Sequence, residues 1–268
     1  MILPVIISIV ISLTDYNMYQ LPKFIGLTNF KLLILDDDVF IIALKNTLIF
    51  ALISGPAGFV MSFVMAWVIN QMRFRTVFAL AFYAPSITSS VAISVVWMTF
   101  FSNDQYGYIN NFLMQLGILT KPILWLSDPN TIMGVIIFIS IWMGMGAGFL
   151  TFLAGLQNMP SEVYEAGMVD GVSNRFQELF YITLPQLKPQ MLFAAINSII
   201  ASFAVFDIAI TVAGLPSPNY AGHTLVTHLY DHAFIRFEMG YASAVSVMLF
   251  TITIVAGQLV KKLLATKE

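Results

Sequence analysis

The 268-residue sequence has no cysteine, which excludes disulfides, thiolate nucleophiles and Cys-ligated metal sites and leaves the redox compartment open. Charge is scarce as well. Only 10% of residues are charged, and 12 Lys and Arg against 14 Asp and Glu give a formal net charge of -2. No basic stripe exists to neutralise a phosphate backbone, so nucleic acid is excluded as the main partner. No Gly-rich loop ends in Gly-Lys-Ser or Gly-Lys-Thr, so the chain lacks a P-loop for ATP. Histidine occurs only as His223, His228 and His232. The last two have the spacing of a helical metal face, but no His-Glu-x-x-His pattern accompanies them and Asp231 is the nearest carboxylate in sequence. They read as loop histidines at the membrane interface, and no metal site and no catalytic residue is expected.

What fills the chain instead is apolar. Hydrophobic residues make up 59% of it, with 23 Phe and 15 Met, and the mean hydropathy is +0.85, far beyond soluble domains. The expected fold is an all-α, multi-pass membrane protein in contact with lipid, a single transmembrane domain over 1–268. About 20 apolar residues are needed to cross the hydrocarbon. Full spans are expected at Asn46 to Asn70, Thr76 to Phe101, Thr131 to Gly155, Pro189 to Ala213 and Met239 to Val260. A sixth, over residues 1–14, is too short alone and reads as a span whose beginning is missing. Gly55-Pro56 and Pro85 fall inside spans, tolerable where neighbouring groups satisfy the freed backbone. Residues 15–45, 102–130 and 214–238 read as loops on one side, with Tyr106, Tyr108 and Trp125 suited to the headgroup level.

One polar interruption, over 157–188, is richer in helix punctuation than any other loop. Ser161 after Pro160 can cap a short helix with Glu162 in its first turn. Gly171 can end that helix in a left-handed conformation. Asn174 with Gln177 resembles a capping box for a second short helix, which must stop near Pro185. A functionless connector needs only a few residues, so this length of ordered chain predicts a docking surface.

The same residues carry a family likeness. Glu165-Ala166-Gly167, Asp170-Gly171 and Ile182-Thr183-Leu184-Pro185 resemble the "EAA" signature of permease subunits of binding-protein-dependent ABC importers. Gly167 stands where another small residue is usual, and one residue more than usual separates Gly171 from Ile182. The likeness extends over nearly the whole chain, through Trp142, Gly144, Phe206-Asp207 and Met239-Gly240-Tyr241-Ala242, and is closest to the sugar branch typified by the larger maltose-permease subunit. It implies a type I importer fold of six transmembrane helices with a cytoplasmic coupling helix. It also implies a homologous second permease, a cytoplasmic ATPase dimer that binds ATP and Mg, and an extracytoplasmic sugar-binding protein. No cofactor is expected on this chain. Glu165, Ala166, Gly167, Asp170, Gly171, Ile182, Leu184 and Pro185 are the expected ATPase-docking residues.

Positive charge sets the orientation. The docking side receives Arg73, Arg75, Arg175, Lys188, Lys261, Lys262 and Lys267, the other Lys23, Lys31, Lys45, Lys121 and Arg236. The docking loop and the C-terminus are therefore expected in the cytoplasm of a bacterial or archaeal cell, the chain in its inner membrane.

For a substrate path, Ser140, Met143, Gly144 and Ala147 share one helical face by i, i+3, i+4, i+7 spacing. The resemblance aligns them with the sugar site of the maltose subunit, while close helix packing through Gly144, Gly146 and Gly148 accounts for the same pattern. Asn197, Ser198 and Ser202 on the fifth span are further candidates, with hydrogen bonding across helices as the alternative. Asp207 is the one acid expected inside a span, a polar-pathway residue or a carboxyl bonded to a neighbouring helix. The expected function is uptake of a sugar or oligosaccharide. Glycerol phosphate or another polar solute is the alternative cargo, an ion-coupled carrier using Asp207 the alternative mechanism, and a membrane-anchored enzyme lacks the residue cluster it would need.

Overall fold

The computed structural model describes residues 2–264; Lys267, counted above for orientation, lies outside them. Among the described residues no β-strand forms, and one isolated antiparallel bridge pairs Thr14 with Phe24. The chain opens with α1 (Ile2–Ser12) and α2 (Thr28–Leu35), followed by the long α3 (Asp38–Asn70). Next come α4 (Arg75–Ile87), α5 (Ser90–Phe100), the short α6 (Tyr108–Gln115) and the long α7 (Ile132–Gln157). The polar interruption folds as α8 (Ser161–Val169), α9 (Arg175–Glu178), a π turn over Leu179–Thr183 and α10 (Leu184–Gln186). The remainder is α11 (Lys188–Phe203), α12 (Asp207–Ala213), a 3-10 turn over Pro218–Tyr220, α13 (Leu225–Tyr230), a π turn over Asp231–Ile235 and α14 (Met239–Leu264).

Among the described residues, four helical segments can by length and composition cross a membrane: Asp38–Asn70, Ile132–Gln157, Lys188–Ala213 and Met239–Leu264. The pair α4 and α5 makes a fifth if taken as one broken span. Helix α1 is apolar but short. The sequence places the kink of the third span at Pro85, yet Pro85 stays inside α4 and the break falls at Thr88-Ser89. Local hydroxyls take up carbonyls at that helix end: Ser86 Oγ donates to Tyr83 O (2.7 Å) and Thr88 Oγ1 to Ala84 O (2.9 Å). The second span starts earlier than expected, at Asp38. At about 1.5 Å per residue its 33 residues reach about 50 Å, well beyond a hydrocarbon layer of about 30 Å, so a polar first turn beginning at Asp38 is accommodated outside.

The described residues form two compact units. The first comprises 2–54, 89–140 and 201–256 and holds the long loops. Its core gathers Leu33, Phe40, Ala43, Leu225, Ala244 and Val245. Buried amides pin its loops in place of regular structure. Asn29 Nδ2 donates to Ser12 O and Thr14 O (both 2.8 Å), and Asn46 Nδ2 donates to Tyr220 O (2.8 Å) and His223 O (2.9 Å). The fully buried Asn110 donates to Ser102 O, Asp104 O and Ile123 O and accepts from Trp125 Nε1 (2.9 Å). That bond tethers Trp125, while Tyr106 and Tyr108 stay exposed. Gly240, in the Met239–Ala242 run, donates its N–H to Tyr16 O (2.8 Å) and lies so close to the Thr14 carbonyl that a side chain would collide with it.

The second unit comprises 55–88, 141–200 and 257–264 and contains the polar interruption. Ala66, Ile69, Phe149, Phe152, Leu153, Leu156, Leu187 and Ala194 form its core, with Phe59 and Phe63 edge-on to Phe152. Helix α7 is close-packed here through two of its three glycines at 144–148. A Cβ on Gly146 would lie 2.1 Å from Ser86 Oγ and one on Gly148 3.0 Å from Ser62 Oγ, whereas one on Gly144 would meet nothing within 4 Å. Ser62 Oγ also donates to Met145 O (2.7 Å).

Candidate functional site

The polar interruption is a folded knob built from the signals the sequence carries, with two changes. Helix α8 starts at Ser161, but its N-cap is Pro160 and no side chain caps it, so Ser161 is a first-turn residue beside Glu162. Its C-terminus closes as a Schellman motif. Gly171 sits at φ +94°, its N–H donates to Met168 O (3.2 Å), and Val172 N–H donates to Gly167 O (2.9 Å). Asn174 caps α9, its Oδ1 accepting from Phe176 N (3.1 Å) and Gln177 N (2.9 Å). Gln177 Oε1 reaches back to Ser173 N (2.9 Å), one residue before the cap. The second change lies at Pro185. The chain does not stop before it but continues through the π turn into α10, with Pro185 in the first helical turn, where its missing N–H costs no bond.

The two halves of the knob interlock. The buried Ile182 side chain lies over Gly167, where a Cβ would be 2.3 Å from its Cδ1, so a small residue is required at 167. Tyr164 Oη donates to Met159 Sδ (2.8 Å) and approaches Thr183 Oγ1 (3.5 Å). The knob is also fixed to long helices of its own unit. Phe176 stacks near Trp67 of α3 (centroids 6.0 Å apart), and Leu187 is buried where Gly155 of α7 makes room for it. A cavity of about 610 Å³ lies behind, lined by Trp67, Asn70, Leu156, Tyr164, Arg175 and Ile182 among others.

Glu165, Ala166, Asp170, Gly171 and Pro185 are exposed, Leu184 and Gly167 half-buried, and Ile182 buried. The expected docking residues therefore divide into an exposed face and an inner lock. The sequence reading missed the apolar part of that face: Val169 is 88% exposed and Met168 64%, and Phe180 and Tyr181 are exposed as well. Their signal was present, as an apolar pair in an otherwise polar loop beside Asp170-Gly171. So much uncovered apolar surface beside carboxylates is what a protein-binding patch requires.

The face expected on the fourth span lies on α7, with Gly144 and Ala147 exposed, Met143 buried and Ser140 half-buried. Among the described residues Ser140 Oγ is buried without a hydrogen-bond partner. On α11, Asn197 is exposed and Ser202 buried. Ser198 is a packing residue, donating to Gly55 O (2.8 Å) beside Pro56.

Asp207 is not inside a continuous helix. The fifth span breaks between Phe203 and Asp207, and Asp207 opens α12, where its carboxylate is favourable at the positive end of the dipole. It accepts a hydrogen bond from Ser90 Oγ (2.8 Å), the first residue of α5 after the other break, and α5 packs on α12. Two interrupted helices thus meet at an exposed Ser–Asp pair, the sort of discontinuity that lines polar paths through membranes.

Long lipid-length helices, an exposed polar pair at two helix breaks and a folded knob define a membrane transport component. The chain belongs to the family described as "Binding-protein-dependent transport system inner membrane component", which matches residues 54–265. Members are permease subunits of ABC importers, without catalytic activity of their own; ATP is hydrolysed by a separate subunit. Membership sets aside the ion-coupled carrier and the membrane-anchored enzyme. The chain is 36% identical over 254 residues to the "Probable ABC transporter permease protein YesP" of Bacillus subtilis, covering 94% of this chain and 81% of that protein. It is 32% identical to the Bacillus subtilis "Arabinooligosaccharides transport system permease protein AraP" (90% and 76% covered). It is 33% identical to the Rhizobium radiobacter "Lactose transport system permease protein LacF" (96% and 85% covered). The fold matches a chain of a bacterial ABC transporter involved in the import of the acidic polysaccharide alginate, with a TM-score of 0.82 at 23% identity, covering 98% of this chain and 93% of that one.

Proposed function

We propose that the chain is a pore-forming subunit that takes up a sugar or oligosaccharide handed over by an extracytoplasmic binding protein. It pairs with a homologous permease and with two copies of an ATPase, in which ATP and Mg reside. Relatives named for arabinooligosaccharides and lactose support the cargo class. No Lys or Arg occurs within 46–70, 76–101, 131–155, 189–213 or 239–260, which favours a neutral cargo over glycerol phosphate. The spans are those five segments plus the one opened by α1.

The observation that carries the mechanism is the folded knob with its exposed Met168-Val169 tip, clamped to α3 and α7 of its own unit through Trp67–Phe176 and Leu187–Gly155. Glu165, Ala166, Met168, Val169 and Asp170 form the face that enters the ATPase, while Gly167 and Ile182 hold the knob rigid. Closure of the ATPase dimer moves the knob, and the helices clamped to it move together. Such a switch needs ligands that favour one state, and ATP and the loaded binding protein supply that bias. Met143, Gly144 and Ala147 of α7 are the residues we assign to the solute path in the second unit; Ser90 and Asp207 form a separate polar pair in the first.

The complete transporter in proteoliposomes tests this. Uptake of a neutral labelled oligosaccharide is expected to require ATP and the binding protein, and uptake driven by an ion gradient without ATP would contradict it. The α7 face is tested by Gly144→Leu beside Gly146→Leu. Gly144→Leu should leave yield and melting temperature near wild type and abolish uptake. Gly146→Leu, forced against Ser86 and Tyr83, should lower stability by about 1–3 kcal/mol. Normal uptake by Gly144→Leu would remove that face from the path.

A further inference from the structure

The three histidines, read from the sequence as loop residues, are buried together in the first unit, each no more than 6% exposed. Asp231, their neighbour in sequence, is engaged elsewhere, paired with Arg236 (2.8 Å). The carboxylate that meets them is Asp37, at the N-terminus of α3. Its Oδ2 lies 3.2 Å from His228 Nε2 and 4.0 Å from His232 Nε2. One donor atom from each of the three residues falls within 4.8 Å of the others. The approach of His228 to Asp37 has no hydrogen-bond direction, and among the described residues His228 Nε2 is a buried ring nitrogen without a hydrogen-bond partner. Nitrogen and oxygen are thus close without being hydrogen-bonded. A buried polar atom left in this way requires an explanation.

The surroundings supply one. The second nitrogen of each ring is held from outside: His232 Nδ1 is 2.7 Å from Glu238 Oε2, and His228 Nδ1 is 3.4 Å from His223 Nε2. A carboxylate behind the far nitrogen, as Glu238 is for His232, is how metal-binding imidazoles are fixed in tautomer and direction. Asp37 Oδ2 accepts from the Tyr241 hydroxyl and Oδ1 from Phe40 N (2.8 Å), so the carboxylate is fixed too. Ligand arms of about 2.0–2.1 Å in a tetrahedron place donor atoms about 3.3 Å apart; the 3.2 Å spacing of His228 and Asp37 matches this, and His232, 4.0 Å from Asp37, closes in by less than 1 Å when it binds. Two imidazoles and one carboxylate suit a borderline transition ion and not calcium or magnesium, which demand more oxygens. A cavity of about 400 Å³, lined by Asp36, Asp37, His232, Glu238 and Tyr241 among others, reaches two of the three groups.

We infer that Asp37, His228 and His232 form a zinc-class metal site, a staple that ties the start of α3 to α13 and the π turn that follows it. It is independent of the solute path and of the knob. The test uses the full-length chain in its purified transporter, without a polyhistidine tag and stripped by chelator. Titration with Co²⁺ should give the intense visible absorption of a four-coordinate site, and Zn²⁺ should displace it at one ion per chain and raise the melting temperature. His228→Gln, His232→Gln and Asp37→Asn should each weaken Zn²⁺ binding about tenfold or more. Asp231→Asn should leave it unchanged. If a ligand variant fails to fold, the wild-type cobalt spectrum decides alone. Only the weak absorption of six-coordinate cobalt in the wild type, or equal zinc binding by the wild type and the His228→Gln/His232→Gln double variant, would overturn the site.

Discussion

Gly171→Pro and Glu165→Lys are expected to give transporters that insert normally, hydrolyse ATP and import almost nothing. The two act by different routes. At φ +94° Gly171 occupies a backbone region closed to proline, and its N–H is half of the Schellman closure with Met168 O. Proline there removes a bond, forces the turn open and frees the 167–182 lock, so the knob loses its shape while the long helices keep theirs. Lysine at 165 keeps the shape and reverses the charge of an exposed side chain in the face proposed to enter the ATPase. Losing a central contact of an interface costs about 2 kcal/mol or more, roughly 30-fold in affinity. ATPase rate and uptake measured side by side in proteoliposomes check both variants. Uptake at the wild-type level in both would show that the knob does not transmit the stroke.

Gly240→Val should be the most damaging single change to the stability of the first unit. A Cβ at this position lies 2.1 Å from Thr14 O and 3.1 Å from Tyr16 N, and both are backbone atoms that cannot rotate aside. Relief requires the 14–16 segment to move away, which breaks the Gly240 N–H to Tyr16 O bond and disturbs the amide of Asn29 that holds Ser12 and Thr14. Overpacking of a well-packed core costs about 1–3 kcal/mol, and a collision with backbone belongs at or above the upper end. Thermal unfolding of the detergent-purified chain measures it, with Gly144→Ala as the comparison, since a Cβ there meets nothing. A Gly240→Val protein that melts with the wild type would refute the contact.

Most of the helical plan was legible because apolar runs of spanning length admit few alternatives, and the knob was legible because Asn174 and Gly171 are chemically specific signals. The interruptions were not. Pro85 is the strong breaker in the third span, yet the break lies at Thr88-Ser89, where serine and threonine hydroxyls satisfy the carbonyls that a broken helix exposes. Asp207 reads as a buried acid only if the fifth span is continuous. Its real setting depends on Ser90, far away in sequence, and no local pattern encodes that pair. The histidines show the same limit, since spacing announces His228 and His232 but the carboxylate that completes the cluster comes from Asp37. The glycine triplet on α7 needed coordinates to be divided, Gly146 and Gly148 serving packing and Gly144 facing open space.

The absence of cysteine makes the central measurement simple, because one introduced thiol is unique in this chain. Val169→Cys, at the tip of the knob, should react with a short bifunctional crosslinker in the assembled transporter to join this chain to the ATPase subunit, in a yield that changes when ATP is added. A Val169→Cys chain whose thiol joins no other polypeptide, or is captured by the extracytoplasmic binding protein, would contradict the account.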